Sequence, residues 1–333
     1  MSEKFNVLVT GGAGYIGSHA VLALKDAGWQ PVVIDNLSTG FRFAVPDDVP
    51  LVVGDIEDRA LMDDVIRNHT IGAIMHFAGS IIVPESVENP LKYYHNNTAK
   101  TRALLDAAVA NGVRHFIFSS TAATYGMPDQ SPVREDCPQV PINPYGASKL
   151  MTEWMLRDVA AAHDFNYCAL RYFNVAGADP LQRTGQSTAG ATHLIKVAVE
   201  AALGKRDHVV VFGTDYDTPD GTGVRDYIHV SDLAAAHVLA LEKLVADPTE
   251  NHLLNCGYGH GYSVLEVLDA VDRVTNLKLD RRLEGRRAGD AGQLISDNRA
   301  ILARFGWQPQ HDNLDRIVAH ALAWERTLEQ KRS

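Results

Sequence analysis

A tyrosine and a lysine four residues apart could carry proton-transfer chemistry in this chain. Tyr145 and Lys149 stand in the run Asn-Pro-Tyr-Gly-Ala-Ser-Lys. Residues with this spacing share one face of a helix, so the lysine charge can lower the pKa of the phenol and make tyrosinate accessible near neutral pH. Upstream, an apolar run closes with Ser-Ser-Thr at Thr121, which offers a hydroxyl that could share a proton with Tyr145. These residues predict a general base and acid with polar partners.

A glycine-rich turn provides a second candidate site, for a dinucleotide. Gly11, Gly14 and Gly17 follow a strand-like run and precede a helix-like segment. Glycines at this place allow a tight turn and let a pyrophosphate approach the N-terminus of the helix. Asp35 ends the next strand-like run, 18 residues after Gly17, where a carboxylate accepts hydrogen bonds from ribose hydroxyls. Asn36 follows it in place of an arginine, which favours NAD over NADP.

Two more short segments follow strand-like runs and could line the same crevice. Asp55 and Ile56 come after the third run, and Phe77, Ala78 and Gly79 come after the fourth. In doubly wound sheets the carboxyl ends of parallel strands line a common cofactor crevice. Each segment taken alone could equally be an ordinary loop.

The elements that must position these residues follow from the hydrophobic periodicity. In the first half, apolar strand-like runs alternate with helical spacing, which predicts an α/β fold with a doubly wound parallel sheet of the Rossmann type. A smaller α/β lobe is expected to pack on it. The predicted strands are 5–10, 31–35, 51–55, 71–77, 115–119, 166–171 and 209–212. The predicted helices of the second half are 188–203, 231–244, 263–275 and 313–326.

Composition excludes several classes of protein. The chain has 333 residues and a formal net charge of −10, which disfavours nucleic-acid binding through clustered Lys and Arg. No apolar run approaches the roughly 20 residues that a membrane-spanning helix needs. The 3 cysteines, Cys137, Cys168 and Cys256, form neither a disulfide framework nor a zinc spacing, so no metal is expected. Residues 1–4 do not resemble the start of a signal peptide, which indicates a cytoplasmic location.

Together these motifs are similar to those of sugar-nucleotide 4-epimerases in the extended short-chain dehydrogenase/reductase family. The resemblance spans almost the whole chain and includes Val-Thr-Gly-Gly-Ala-Gly-Tyr-Ile-Gly-Ser-His, Tyr-Gly-Ala-Ser-Lys, Arg-Tyr-Phe-Asn-Val-Ala-Gly and Gly-Val-Arg-Asp-Tyr-Ile-His-Val. The matching segments are 9–19, 35–36, 76–79, 93–97, 116–121, 143–149, 171–177, 192–195, 212–216, 220–230 and 286–290.

The resemblance implies a role for each matching residue. Tyr145 would be the general base and acid on the sugar 4-hydroxyl, Lys149 its partner on the nicotinamide ribose, and Thr121 a hydrogen-bond partner of the sugar oxygen. Besides the glycine turn, it implies NAD contacts by Tyr15, Ile16, Asp35, Asn36, Asp55, Ile56, Phe77, Ala78, Gly79, Asn96 and Phe173. It implies UDP contacts by Asn174, His193, Leu194, Val211, Phe212, Arg225, Arg287 and Asp290, with guanidinium groups suited to the pyrophosphate.

The implied reaction is NAD-dependent 4-epimerisation of UDP-sugars, UDP-glucose and UDP-galactose in the first place, through a 4-keto sugar. Leu294 stands where some members have a tyrosine that closes the sugar pocket, so a 2-N-acetyl group could fit. It could also be an ordinary core residue. UDP-N-acetylglucosamine and UDP-xylose or UDP-arabinose remain open as substrates. Gly79-Ser80-Ile81 lacks the lysine of many relatives, which puts a cofactor or substrate contact in doubt.

The resemblance also bears on competing activities and on the organisation of the chain. A 4,6-dehydratase needs an acidic pair after Thr121, but Ala122 and Ala123 follow. A net alcohol dehydrogenase and a non-catalytic NAD-binding protein also remain open. Residues 1–180 are expected to form the NAD-binding domain, sharing later segments at about 213–250, and 181–333 mainly an interleaved UDP-sugar lobe. Family members commonly form homodimers through helices near 90–111 and 145–162, and some stretches resemble epimerases that supply exopolysaccharide precursors.

Overall fold

The computed structural model describes residues 5–287 and 289–332. Strands and helices alternate through the first half of the chain, as predicted. The elements are, in chain order, β1 (Asn6–Thr10), α1 (Tyr15–Asp26), β2 (Pro31–Asp35), β3 (Leu51–Val53), α2 (Arg59–Asn68), β4 (Ile71–His76), α3 (Val83–Glu88), α4 (Pro90–Tyr93), a π-helix (Tyr94–Ala99), α5 (Lys100–Ala110), β5 (His115–Thr121), α6 (Pro144–Ala162), β6 (Asn166–Tyr172), β7 (Asn174–Ala176), α7 (Leu194–Ala202), β8 (Val209–Phe212), β9 (Val224–Arg225), β10 (Tyr227–His229), α8 (Val230–Ala246), β11 (His252–Cys256), β12 (Tyr262–Ser263), α9 (Val264–Thr275), β13 (Arg281–Glu284), β14 (Gln293–Leu294), α10 (Arg299–Phe305) and α11 (Leu314–Arg332).

In the described part of the chain, seven strands form one sheet in the order β3-β2-β1-β4-β5-β6-β11. Strand β1 pairs in parallel with both β2 and β4, and the pairs β2–β3 and β4–β5 are parallel too. The chain builds the sheet outward from β1, first through β2 and β3 on one side and then through β4, β5 and β6 on the other. The doubly wound parallel sheet predicted from the sequence is therefore confirmed.

The strands of this sheet read as continuous apolar runs because both faces are covered. Leu8, Ile34, Ile74 and Phe116 are fully buried, one from each of β1, β2, β4 and β5. They share one core cluster with Leu104 and other residues of α2 and α5. Burying a side chain of this size contributes about 1.5–3 kcal/mol, so the sheet is a rigid support for the loops at its carboxyl edge.

The chain divides into two compact units. The first unit comprises Met1–Gly126, Gln139–Arg171 and Ala234–Leu254 and carries most of the large sheet. The second comprises Met127–Pro138, Tyr172–Leu233 and Asn255–Ser333. Its strands form small sheets, with β7 beside β10, β8 beside β13, and β9 between β12 and β14. That the first unit serves NAD and the second UDP stays a prediction.

Several element boundaries differ from the sequence-based ones. Strands 31–35 and 209–212 are found as predicted, whereas β3 ends at Val53, two residues early. The helix predicted over 188–203 is wrong in its first turns, since α7 begins only at Leu194. Gly190 has a φ of +67°, a left-handed conformation that no continuous right-handed helix contains. In the described residues, none of the helices is both long and apolar enough to span a membrane.

Candidate active site

The glycine turn between β1 and α1 places backbone where side chains would not fit. Gly11 has a φ of +69°, and a Cβ there would lie 2.7 Å from the backbone nitrogen of Ala78. A Cβ on Gly17 would lie 2.2 Å from the carbonyl oxygen of Gly11. Gly14 caps α1 in an extended conformation without a side-chain cap. The turn therefore leaves open the N-terminus of a helix that can receive a phosphate group.

Asp35 holds this turn in place from the end of β2. Its carboxylate accepts hydrogen bonds from the backbone N–H groups of Ala13 (3.0 Å) and Leu37 (2.8 Å). Burial raises the pKa of Asp35, and the two backbone hydrogen bonds partly offset that rise. The exposed Asn36 next to it adds no positive charge. This is the acceptor that an adenosine ribose requires, in surroundings that do not favour a 2′-phosphate.

Asp55 stands after β3 beside the same edge. Its Oδ2 accepts hydrogen bonds from Lys100 Nζ at 2.6 Å and from Asn36 Nδ2 at 3.3 Å. Partial burial raises the pKa of Asp55. The hydrogen bonds from Lys100, the Glu57 backbone and Asn36 together lower it by a larger amount, so the net shift is downward. Ile56, the next residue, is buried. The structure thus brings Asn36 and Asp55 together, as expected for neighbouring strand ends.

The loop Phe77-Ala78-Gly79 lies over a buried histidine at the end of β4. His76 Nε2 lies 2.9 Å from Thr101 Oγ1, which itself donates to the Asn97 carbonyl, so Nε2 carries the proton. His76 Nδ1 then accepts from Thr10 Oγ1 at 2.7 Å. Burial, with the nearby Lys149 charge, lowers the pKa of His76 to about 3. A neutral histidine therefore supports this loop near the glycine turn.

A π-helix separates α4 from α5 and carries two asparagines toward this loop. Asn97 is buried; its Oδ1 accepts from Ser80 N at 2.7 Å and its Nδ2 donates to Ser148 Oγ at 3.0 Å. Asn96, a predicted NAD contact, donates to Ser80 Oγ at 3.0 Å. Single π turns in a helix often accompany functional sites. The sequence predicted one helix near 90–111 and gave no sign of this change in pitch.

Tyr145 and Thr121 meet as predicted, but the expected pKa change is not found. The Thr121 hydroxyl lies near the phenol and lowers the pKa of Tyr145, yet burial outweighs this effect and the net shift is upward. Thr121 Oγ1 also accepts from the backbone N–H of Ala123 at 3.2 Å. The reason is that, among the described residues, loss of solvation outweighs the contacts that stabilise the charged phenol.

Lys149 lies on the same helix, one turn further along α6. Its side chain is buried, and Nζ donates to the Ser119 carbonyl at 2.9 Å and lies 5.0 Å from the centre of the Phe118 ring. Burial lowers the pKa of Lys149 to about 8. The ammonium group is therefore charged at neutral pH in a place where few groups stabilise it, beside the end of β5.

In the second unit, Tyr227 organises three of the predicted UDP contacts. Burial raises the pKa of its hydroxyl to about 12, while the charges of Arg225 and Arg287 and a hydrogen bond from Asn174 oppose that rise. Strand β10 carries Tyr227 and pairs in register with Asn174 on β7. Asn174, Arg225 and Arg287 therefore gather around one buried phenol. Sequence reasoning did not single out Tyr227, although it lies two residues after Arg225.

Other predicted UDP contacts lie on or near β8 and β14, in the small sheets of the second unit. Arg287 stacks on the Phe212 ring at 4.8 Å and donates through Nε to Asp290 at 2.9 Å. Leu294 pairs in register with Arg225 and is partly exposed, so it is not an interior core residue. Val211, which precedes Phe212 on β8, is buried. A flat aromatic ring under a guanidinium group suits a nucleotide.

His193 and Leu194 stand at the start of α7 rather than inside the predicted helix. His193 is the residue before the first turn, and Leu194 is the first helical residue. Gln186 Nε2 donates to His193 Nδ1 at 2.9 Å, so the proton of the neutral ring is on Nε2. His193 is exposed and can offer that N–H to a ligand oxygen. Phe173, a predicted NAD contact, is assigned to this second unit.

Three histidines of the second unit also lie together. The ring nitrogens of His229, His311 and His320 are within 4.8 Å of one another. The Ser231 N–H donates to His229 Nδ1 at 3.0 Å, so His229 Nε2 carries the proton that it shares with His320 Nδ1 at 2.9 Å. A metal ion would need the lone pair of His320 Nδ1, which already accepts the hydrogen bond from His229. These hydrogen bonds therefore oppose metal binding by the three histidines. That the chain binds no metal stays a prediction.

Comparisons with known proteins agree with this geometry. Residues 7–257 match the sequence profile of the NAD dependent epimerase/dehydratase family. The chain belongs to this family. It is 59% identical to a UDP-glucose 4-epimerase of Azospirillum brasilense, over 97% of this chain and 93% of that protein. The resemblance to epimerases that the motifs suggested is thereby confirmed.

Solved structures of epimerases from several bacteria have the same fold. A UDP-glucose-4-epimerase from Stenotrophomonas maltophila, with bound NAD and formylated UDP-arabinopyranose, superposes with a TM-score of 0.94 at 39% identity and covers 98% of this chain and 99% of its own. A UDP-Glc/GlcNAc 4-epimerase from Campylobacter jejuni gives a TM-score of 0.85 at 46% identity and covers 97% and 99%. The cofactor of this family member is NAD, and the open glycine turn with Asp35 fits it.

Proposed function

We propose that this enzyme interconverts UDP-sugars by 4-epimerisation, with UDP-glucose and UDP-galactose as its principal pair. One observation carries the proposal: the Thr121 hydroxyl lies near the phenol of Tyr145 at the end of β5, one helical turn from the buried Lys149. A phenol in contact with a hydroxyl can pass a proton to and from a sugar alcohol. The identity of the relatives supports the choice of a UDP-sugar.

Tyr145 takes the proton of the sugar 4-hydroxyl in the first half of the reaction and returns it in the second. Thr121 donates a hydrogen bond to the phenol oxygen and so favours the tyrosinate. Lys149 provides a positive charge at the end of β5. The glycine turn and Asp35 would hold NAD, which would supply a reversible hydride acceptor for the sugar C4, so that no net oxidation results.

Anchoring through the nucleotide explains how one site can serve both epimers. Arg225 and Arg287 would bind the two charges of the pyrophosphate and Phe212 would stack on the flat base, which the closeness of Arg287 to Phe212 supports. If the sugar itself is held weakly, its ring can present either face of C4 without release of the nucleotide. The residues that hold UDP then contribute affinity, and the residues around Tyr145 contribute rate.

The preferred sugar is set by what surrounds its C2 substituent. Leu294 is partly exposed beside Arg225, and a leucine leaves more space than a tyrosine. Turnover of UDP-N-acetylglucosamine in addition to UDP-glucose is therefore the favoured extension, and the Campylobacter jejuni enzyme is named for both sugars. Pentose nucleotides are the second candidates, because the Stenotrophomonas enzyme binds a UDP-arabinopyranose derivative.

A sugar-nucleotide dehydratase is the competing activity within the same family. Such an enzyme needs an Asp-Glu pair directly after Thr121, as acid and base for the elimination of water. Ala122 and Ala123 stand there, and neither can exchange a proton. The epimerase proposal therefore fits these residues better.

Product analysis of wild type and Tyr145→Phe over a panel of UDP-hexoses, UDP-N-acetylhexosamines and UDP-pentoses tests the proposal. Loss of the phenol hydroxyl should lower kcat by about 100- to 10,000-fold, the usual contribution of a positioned acid–base group. Tyr262→Phe, on β12 in the second unit, is the matched control and should keep wild-type rates. Undiminished interconversion by the Tyr145 variant would contradict the mechanism.

We also infer a cytoplasmic homodimer that serves galactose metabolism or the supply of exopolysaccharide precursors. The helices expected to pair, around α4–α5 and α6, carry large exposed apolar side chains in Leu91 (78% exposed) and Trp154 (47% exposed). Contiguous apolar patches commonly mark protein–protein contacts, and these two side chains would contribute to one if the helices pair. A monomeric mass by light scattering at micromolar concentration would contradict the dimer.

A further inference from the structure

We propose that Glu153 is a positioning residue for the reaction, because it keeps α6 in register with the end of β5. The inference rests on the proposed function. Tyr145, Lys149 and Glu153 follow one another at intervals of four residues on α6, so they share one helix face. Each of them contacts a different residue at the end of β5. The family resemblance implies roles for the first two of these residues and none for Glu153.

The three contacts fall on three consecutive residues of β5. Lys149 Nζ donates to the Ser119 carbonyl at 2.9 Å, and the Thr121 hydroxyl lies near the Tyr145 phenol. Between them, the hydroxyl of Ser120 donates to Glu153 Oε1. A helix that is fixed at the middle residue cannot slide along the strand without breaking the contacts on both sides of it.

Glu153 is itself fixed by a buried ion pair with Arg171 on β6. Arg171 Nε donates to Oε1 at 2.9 Å and Nη2 donates to Oε2 at 2.6 Å, a bidentate arrangement. Both side chains are buried, at 1% exposure for Arg171 and 4% for Glu153. Two parallel hydrogen bonds fix both the orientation and the position of the carboxylate, which one bond would not do.

The same arginine also holds the chain that follows Thr121. Arg171 Nη1 donates to the hydroxyl of Tyr125 at 2.9 Å, and Tyr125 lies in the short 3-10 turn Ala122–Tyr125 directly after β5. Glu153 and Arg171 therefore hold the residues on both sides of Thr121, through Ser120 and Tyr125. Arg171 also neutralises the carboxylate, so the pair adds rigidity without adding a net negative charge beside Lys149.

Ser120→Ala is the first test, because it removes the link to β5 and leaves the ion pair intact. It should lower kcat tenfold or more while KM for the UDP-sugar changes less than twofold. The acidic limb of the kcat–pH profile should move upward by at least half a pH unit, because misaligned Thr121 no longer lowers the pKa of Tyr145. A merely structural serine would leave that limb unmoved.

Two ion-pair variants complete the design. Glu153→Gln leaves Arg171 buried without its counter-charge and should lose both stability and kcat. The double variant Glu153→Met with Arg171→Met removes both charges, so it should recover most of the stability while kcat stays low. Asp272→Asn, in the Arg281–Asp272 pair of the second unit, is the control for loss of an ion-pair carboxylate and should keep the wild-type pH profile.

The outcomes separate this inference from the proposed function. Wild-type kcat and pH profile in Ser120→Ala, or kcat restored together with stability in the double variant, would overturn the positioning role. An inactive wild-type enzyme on every UDP-sugar would overturn both proposals. An active wild type with unaltered variants would overturn only this one.

Discussion

At the scale of single residues, Lys149 keeps a charge where water solvates it poorly. Burial lowers its pKa to about 8, from an ordinary value near 10.5. A shift in this direction means that the folded chain disfavours the charged form, so the lysine reduces stability at neutral pH. Residues that are unfavourable for folding in this way commonly serve function instead.

We therefore expect Lys149→Met to lower activity without lowering stability. The free energy of unfolding at pH 7 should stay within about 1 kcal/mol of wild type or rise, because the variant no longer buries a charge. The same variant should lower kcat at least about 100-fold. Urea unfolding and steady-state kinetics measure the two effects.

Lys196→Met provides the contrasting control. Lys196 is a buried lysine too, but it is ion-paired with the buried Glu325. Its removal leaves that carboxylate with fewer positive partners and should cost up to about 3–5 kcal/mol. Equal destabilisation by the two lysine variants would contradict the view that Lys149 is held at the expense of stability.

His76 gives a prediction for the dependence of stability on pH. Burial lowers its pKa to about 3, against about 6.5 in an unfolded chain, so the unfolded chain binds one more proton between these values. The stability that this group contributes is complete above pH 6.5 and is lost as the pH falls toward 3. From pH 7 to pH 5, wild type should lose about 2 kcal/mol more than His76→Gln. Denaturant unfolding at both pH values tests this, and parallel losses in the two proteins would refute it.

At the scale of elements, the glycine turn depends on the closeness of α1 to the backbone before it. A Cβ on Gly17 would lie 2.2 Å from the Gly11 carbonyl oxygen, and neither backbone atom can move freely. Gly17→Ala should therefore displace α1 and lower NAD affinity by about tenfold or more, because the predicted phosphate site is the start of that helix. Measurement of NAD retained after purification, and of its dissociation constant, tests this.

Gly285→Ala is the matched control for that change. A Cβ on Gly285 meets no heavy atom within 4 Å, and its φ is not in the left-handed region. NAD content should therefore equal that of wild type. Loss of NAD in both variants would show that the glycine turn has no special role.

At the scale of the whole molecule, we propose that the substrate range depends on Leu294, which is far along the chain from Tyr145. Leu294→Tyr should lower kcat/KM for UDP-N-acetylglucosamine about tenfold more than for UDP-glucose, because the larger ring reduces the space for the N-acetyl group. Leu302→Tyr, a partly exposed leucine on α10, is the control for the added ring. Equal losses on both substrates would reject Leu294 as a size gate.

Much of the fold could be predicted because it depends on local patterns. The strands 31–35 and 209–212 are bounded by changes in hydrophobicity that a sequence displays directly. The start of α7 was missed because Gly190 adopts a left-handed conformation that its neighbours do not reveal. The π-helix at Tyr94–Ala99 escaped too, and its Asn97 bonds to Ser148, 51 residues further along the chain, a contact that local patterns do not display.

The sequence by itself determined the doubly wound sheet, the glycine turn, and the facing of Tyr145 and Lys149 on one helix. These features depend on residue type and on spacing of a few residues, which the backbone converts directly into geometry. Only the tertiary structure decided that the pKa of Tyr145 rises, that Glu153 is fixed by Arg171, and that Tyr227 lies among predicted UDP contacts. Burial and contact partners arise when distant segments pack together, and spacing along the chain does not encode them.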